Sequence, residues 1–190
     1  MTKSKKRAED SDLPAQWTHE PHPHLEFKPG DKVADIKTNN TPGFKGSKSD
    51  APDLQAERND RFAGLQEMLY ARNKSGDENR SVLLILQGMD TAGKGGIVKH
   101  VVGAANPQGI RYTSFGKPTE EERAHHYLWR IRNALPPAGR IGVFDRSHYE
   151  DVLIVRVHNL VPPDVWEGRY DEINAFEREL VDAGTTIVKA

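Results

Sequence analysis

Apolar residues are scattered over the first fifty positions and become periodic only beyond Pro52. Leu54, Phe62, Leu65, Met68 and Leu69 recur at helical spacings, which predicts an amphipathic helix ending at the loop chemistry of Lys74-Ser-Gly-Asp-Glu-Asn79. Val82-Leu-Leu-Ile-Leu86 is an unbroken apolar run, as expected of a strand covered on both faces. A glycine-rich stretch follows, and Ile97, Val98, Val101 and Val102 then mark a second helix face, stopped by Asn106-Pro107-Gln-Gly109. Ile110-Arg-Tyr-Thr-Ser-Phe115 reads as a second strand. Thr119-Glu-Glu-Glu122 has the form of a capping box, opening a helix through Tyr127, Leu128 and Ile131 toward Pro136-Pro137. Ile141-Gly-Val-Phe144 is a short apolar strand that delivers Asp145 at its carboxyl end. Ser147-His-Tyr-Glu150 has the spacing of another capping box, ahead of a helix over Val152, Leu153, Val155 and Arg156. A further helix is predicted from about Tyr170 to Asp182 with Gly184 as its cap, and Thr185-Thr-Ile-Val188 begins a last strand.

This alternation of strands and helices predicts an α/β fold, a parallel sheet with helices on both faces. In such sheets ligands bind beyond the carboxyl ends of the strands, where both the glycine-rich loop and Asp145 fall. Residues 1–50 read instead as a polar, irregular arm, because Pro14, Pro21, Pro23, Pro29 and Pro42 interrupt any period. Trp17, Leu25, Phe27 and Phe44 are isolated apolar anchors in that arm, able to dock on a folded surface. His19, His22 and His24 suggest a metal site, but the intervening prolines prevent helical presentation and no fourth ligand is evident. Residues 51–190 form the expected folded domain.

Composition adjusts this picture modestly. The chain has 190 residues, 36% hydrophobic and 29% charged, which suits one ordinary domain plus a segment outside the core. A formal net charge of −1 provides no overall field for nucleic acid or a membrane surface, so any anion site must be local. The absence of cysteine excludes disulfides and thiolate metal sites and agrees with a cytoplasmic setting. No apolar run approaches the ~18 residues of a membrane span. No apolar region follows the basic Met1-Thr-Lys-Ser-Lys-Lys-Arg7, as a secretory signal would require.

The chemistry concentrates in Gly88-Met-Asp-Thr-Ala-Gly-Lys-Gly-Gly96, a phosphate-binding loop. Gly88 and Gly93 let the chain curl so that successive backbone N–H groups, through Thr91, Ala92, Gly93, Gly95 and Gly96, turn toward anionic oxygens. The helix that starts near Gly93 contributes the positive end of its dipole, and Lys94 supplies a mobile ammonium. Position 95 is Gly where such loops usually carry the Ser or Thr hydroxyl that binds magnesium. Asp90 is therefore either a magnesium ligand or a turn residue bonded to its own backbone. Asp145 is placed to bind magnesium directly or through water. Arg146 is placed to clamp a phosphate oxygen, or to form a plain surface ion pair. Glu150 fits either a cap or a catalytic role, and His148 and Tyr149 either a pocket wall or packing. Lys99, Arg111, Lys117, Arg123 and Arg130 are candidates for lining a polyanion channel, though each alone is more commonly a solvated charge.

Taken in order, the loop at 88–96, Asn-Pro-Gln-Gly at 106–109, Pro-Thr-Glu-Glu-Glu at 118–122, Tyr-Leu-Trp-Arg at 127–130, Phe-Asp-Arg-Ser-His-Tyr-Glu-Asp-Val-Leu at 144–153 and Ile-Asn-Ala-Phe-Glu-Arg at 173–178 resemble polyphosphate kinase family 2. The resemblance covers about residues 43 to 190. It implies a P-loop NTPase-like sheet and magnesium-dependent transfer of phosphoryl groups between inorganic polyphosphate and a nucleoside mono- or diphosphate such as AMP or ADP, with ATP among the nucleotides handled. By motif position Asp90, Lys94 and Arg146 carry over as catalytic, and Asp90 and Asp145 as metal-associated. Family members are often homo-oligomers, which the resemblance extends to this chain. It also implies a lid and C-terminal helices beyond the strand at Thr185, so the sheet is expected to be incomplete at its C-terminus. Two other readings stand beside it: an ATP-dependent small-molecule kinase, and an inactive fragment that binds polyphosphate without turnover.

Overall fold

The computed structural model describes residues 16–19, 21–37 and 39–190. The chain divides into two compact units, residues 1–57 and 58–190. Met1–Arg7 and Pro14, which bore on the targeting and arm readings, lie outside the described residues.

In the first unit, Trp17 and Phe44 form an isolated antiparallel bridge with ring centroids 5.2 Å apart. Thr18 N–H donates to the Gly43 carbonyl and Lys45 N–H to that of Gln16, closing the loop between them. These two aromatic anchors are therefore spent on each other, whereas Leu25 and Phe27 remain exposed. A helical turn, His22–Leu25, and a 3-10 turn, Val33–Asp35, are the other regular pieces. Among the described residues, no group of three or more His, Cys, Asp or Glu side chains is placed to hold a metal ion.

The boundary between the units falls within α1 (Ala51–Lys74), the long helix foreseen from its periodicity. The second unit then runs β1 (Ser81–Leu86), α2 (Lys94–His100), β2 (Ile110–Ser114), α3 (Glu120–Arg123), α4 (Leu128–Ala134), β3 (Ile141–Asp145), α5 (Glu150–Val157), α6 (Pro163–Asp182) and β4 (Thr185–Lys189). Strand order is β2-β3-β1-β4, with every pairing parallel. This is the expected α/β, P-loop-like sheet.

Strand periodicity separates two apolar layers. Leu83 and Ile85 of β1 and Phe144 of β3 join Phe115, Leu128, Ile131, Phe176 and Leu180 on one face. Leu86, Ile141 and Val143 join Val102 on the other, against Phe62, Leu69, Val82, Leu84, Ile97 and Val98. Helices thus cover both faces, which is why β1 and β3 read as continuous apolar runs. Gly142 on β3 is required by close packing: a Cβ there would lie 2.7 Å from Pro136 Cδ and 3.1 Å from a Leu83 methyl.

Three elements differ from expectation. The helix opened by Thr119 stops after one turn and restarts at Leu128. Its capping box does form, with Thr119 Oγ1 accepting from Glu122 N–H and Glu122 Oε2 from Thr119 N–H. The second capping box does not form: α5 has Tyr149 at its N-cap with no side-chain cap. Ser147 is fully buried and donates to Gln87 Oε1 instead, so tertiary pairing overrides the local motif. Finally, α6 begins at Pro163, several residues ahead of its apolar periodicity, because proline favours the first helical position.

Candidate functional site

β1 and β3 are neighbours, with Leu86 in register with Asp145, so the loop leaving β1 and the turn leaving β3 emerge side by side. Arg146 N–H donates to the Leu86 carbonyl (2.9 Å) and Phe115 N–H to that of Asp145 (2.9 Å). The carboxyl ends of three adjacent strands are thereby tied together. Arg146 has φ 64, a left-handed conformation that turns the chain sharply back over the strand end.

The loop from Gly88 to Gly96 curls through Thr91 (φ 67) and Gly93 (φ 101), and Gly93 is the N-cap of α2. Two of its N–H groups serve the loop's own turns, Ala92 bonding to Met89 O and Gly96 to Gly93 O. Gly95 and Gly96 have no other atom within 4 Å of where a Cβ would stand, so the backbone at the helix start is open to approach. Lys94 Nζ folds back to donate to the carbonyls of Gly88 (2.7 Å) and Met89 (2.9 Å).

Asp90 and Arg146, separately proposed from sequence, are brought together: Arg146 donates to Asp90 Oδ1 at 2.8 Å. The hydrogen bond and charge of Asp90 raise the Arg146 pKa further, and Glu150 and Asp145 add to the negative surroundings. Asp145 Oδ2 accepts from the Tyr112 hydroxyl at 3.1 Å. Burial, then this bond to a carboxylate, pushes the Tyr112 phenol up. The negative charge of Asp90, Asp145 and Glu150 thus bears on one guanidinium beside the glycine-rich loop, without the three being grouped as a metal-binding set. Carboxylate oxygens are hard donors of the kind a small divalent cation takes.

Three of the proposed channel cations, Arg111, Lys117 and Arg130, border one cleft of about 380 Å³ beside β2 and the start of α3. Two of them are also tied into the fold: Arg130 is buried, bonded to the Gly116 carbonyl and paired with Glu122 and Asp151, and Arg111 donates to the carbonyls of Asn133 and Leu135. Arg123 donates to the Pro118 carbonyl, and Lys99 is exposed on α2.

Gln87 and Glu177 are given no role by the sequence reading, yet both hold this neighbourhood together. Gln87, just past β1, donates to Glu150 Oε1 and accepts from Ser147, clamping the loop base to the β3–α5 turn. Glu177 of α6 is buried and receives His148 Nε2 (3.3 Å), the Tyr149 hydroxyl and Lys189 Nζ (2.6 Å). One signal does mark it: Ile173, Phe176, Glu177 and Leu180 follow an i, i+3, i+4, i+7 pattern, which places a carboxylate on an apolar face. Burial alone would raise its pKa, yet hydrogen bonds from His148, Lys189 and Tyr149 outweigh that and hold it at about 2. Burial and the bond to Glu177 push the Tyr149 phenol up to about 12.

The family model described as Polyphosphate kinase 2 matches residues 48–190. A relative from Meiothermus ruber named AMP/ADP-polyphosphate phosphotransferase is 49% identical over 149 residues, 78% of this chain and 54% of its own length. One from Rhodopseudomonas palustris, named ADP-polyphosphate phosphotransferase, is 42% identical over 162 residues, covering 77% and 53%. The crystal structure of polyphosphate kinase 2 from Arthrobacter aurescens superposes with a TM-score of 0.87 at 50% identity, over 91% of this chain and 61% of the other. The chain thus spans about half the length of the curated relatives it matches.

Proposed function

The chain belongs to the polyphosphate kinase 2 family, and from that premise we propose that it moves phosphoryl groups between inorganic polyphosphate and AMP or ADP. The observation that carries this reading is the meeting of the phosphate loop with Asp145 and Arg146 at adjacent strand ends, Arg146 lying 2.8 Å from Asp90. In this reading they are the two halves of a phosphoryl-transfer site: a cradle with a cation, and carboxylates with a guanidinium. The names of the relatives support the choice of substrates.

In this reading the loop backbone and Lys94 hold the phosphate chain, while Arg146 faces the charge that develops on the transferring group. A terminal phosphate oxygen of the acceptor forms a bond to the terminal phosphorus of polyphosphate. The bond from that phosphorus to its bridging oxygen breaks, and the shortened chain leaves as an anion. The attacking oxygen is already ionised, so the reaction needs no general base, in keeping with a site built of Lys, Arg and Asp. Asp90 and Asp145 suit magnesium, because each presents carboxylate oxygen beside the loop and Gly95 supplies no hydroxyl. When bound there, that ion would neutralise charge between phosphate oxygens. Such a reaction belongs with the nucleotide pool of the cytoplasm.

Incubation with polyphosphate and AMP or ADP, in magnesium and without ATP, is expected to yield the next higher nucleotide. Lys94→Ala should lower turnover at least a hundredfold with an unchanged circular dichroism spectrum. Polyphosphate binding with no product, or turnover only with ATP and a small metabolite, would overturn the reading.

A further inference from the structure

Glu177 stands apart from the phosphate loop in sequence and on a different element, yet its carboxylate collects the two residues that follow the Asp145–Arg146–Ser147 turn. Its Oε1 receives the Tyr149 hydroxyl and His148 Nε2, and its Oε2 receives Lys189 Nζ from the end of β4. A carboxylate only accepts, so His148 Nε2 carries the proton. The other ring nitrogen, Nδ1, is buried without a hydrogen bond, which leaves Glu177 as the polar tie of a fully buried imidazole.

The turn that these residues end is held in a left-handed conformation at Arg146, which an L-residue adopts only under constraint from its surroundings. Its restraints lie on two sides. Ser147 is bonded to Gln87 at the end of β1, and His148 with Tyr149 is bonded to Glu177 on α6. Lys189 extends the second anchor to β4, which is itself paired with β1.

We propose that Glu177 is a positioning residue for phosphoryl transfer: through Tyr149, His148 and Lys189 it fixes the turn that aims Arg146 and Asp145 at the phosphate loop. It touches no phosphate itself. A carboxylate suits the task because it accepts from several donors at once and its charge is met by Lys189. In its kinetic consequence the proposal rests on the reading given above; in its structural consequence it stands alone.

The test compares Glu177→Gln and Tyr149→Phe with Glu179→Gln, also on α6, which removes only that residue's exposed pair with Arg132 of α4. Turnover is measured well below each variant's melting temperature, together with hydrogen exchange of the Arg146 backbone amide. Glu177→Gln and Tyr149→Phe should each lower kcat on the order of tenfold or more, with a smaller change in KM for polyphosphate. The double variant should lose little beyond the worse single one, because both cut the same tie. Protection of the Arg146 amide, bonded to Leu86 O, should fall in both while the β1 amides keep theirs. Glu179→Gln should match the parent in every measurement. Unchanged kcat and unchanged Arg146 protection in Glu177→Gln, with only a lower melting temperature, would reduce Glu177 to a packing role and overturn the proposal. If the parent chain shows no polyphosphate turnover, the functional reading fails, and the exchange data alone still decide whether Glu177 holds the turn.

Discussion

Arg146 departs, at the scale of one residue, from comfortable backbone geometry. Its φ of 64 would suit glycine, and in the proposed function its guanidinium is the reason to tolerate the strain. Arg146→Gly and Arg146→Ala both delete the ion pair with Asp90, so their difference isolates the backbone. The glycine variant should be the more stable by about 1 kcal/mol in urea unfolding, and neither should retain turnover. Equal stability of the two would show that the turn carries no strain. The residues that touch phosphate in this reading were legible in the sequence because phosphate loops are local: Gly88, Gly93 and Lys94 have meaning at fixed spacing. Asp145 and Arg146 were legible because they end an apolar strand. The partners of Gln87, Ser147 and Glu177 were not, since they are distant in the chain, as with Ser81 and Thr185, which share a hydrogen bond 104 positions apart.

Whole elements divided along the same line. Strands covered on both faces announce themselves as apolar runs, as β1 and β3 do, and the more exposed edge strands β2 and β4 also lie within a residue or two of where the pattern put them. Thr119 and Ser147 present the same capping spacing, yet only the first forms a box. The difference is a half-buried acceptor, Gln87 Oε1, to which Ser147 donates. The break between α3 and α4 was equally hidden, because apolar residues at 127, 128 and 131 continue a helical period across it. Gly142 gives a direct test of how tightly β3 is packed. Gly142→Ala forces a Cβ against Pro136 and Leu83 and should destabilise the fold by about 1–3 kcal/mol in denaturant titration. A change below a few tenths of a kcal/mol would mean that the layer yields.

Across the whole second unit, the Glu177 cluster joins α6, β4 and the β3–α5 turn through one carboxylate, and pH reaches all three together. Its folded pKa of about 2 lies below the ordinary value of 4.5, so the folded state favours the charged form. The resulting stability is fully present above about pH 4.5 and drains away as pH falls toward 2. Relative to Glu177→Gln, the parent's melting temperature should be higher by about 3–8 °C at pH 6, with most of that advantage gone at pH 2.5. A pH-independent difference would mean that the carboxylate's charge is immaterial.

The order of the sheet has a consequence in time as well as in space. β1 is an inner strand, and both its partners, β3 and β4, lie downstream of it in the chain. During synthesis the glycine-rich loop emerges early and waits, its flanking strand unpaired, until Asp145 and then Lys189 have followed. Parallel pairing over such separations is slow to nucleate. The interval is one in which an apolar strand next to a charged loop is exposed to other chains, so the yield of folded protein should depend more on the speed of translation through the 140s than on the final stability of the sheet.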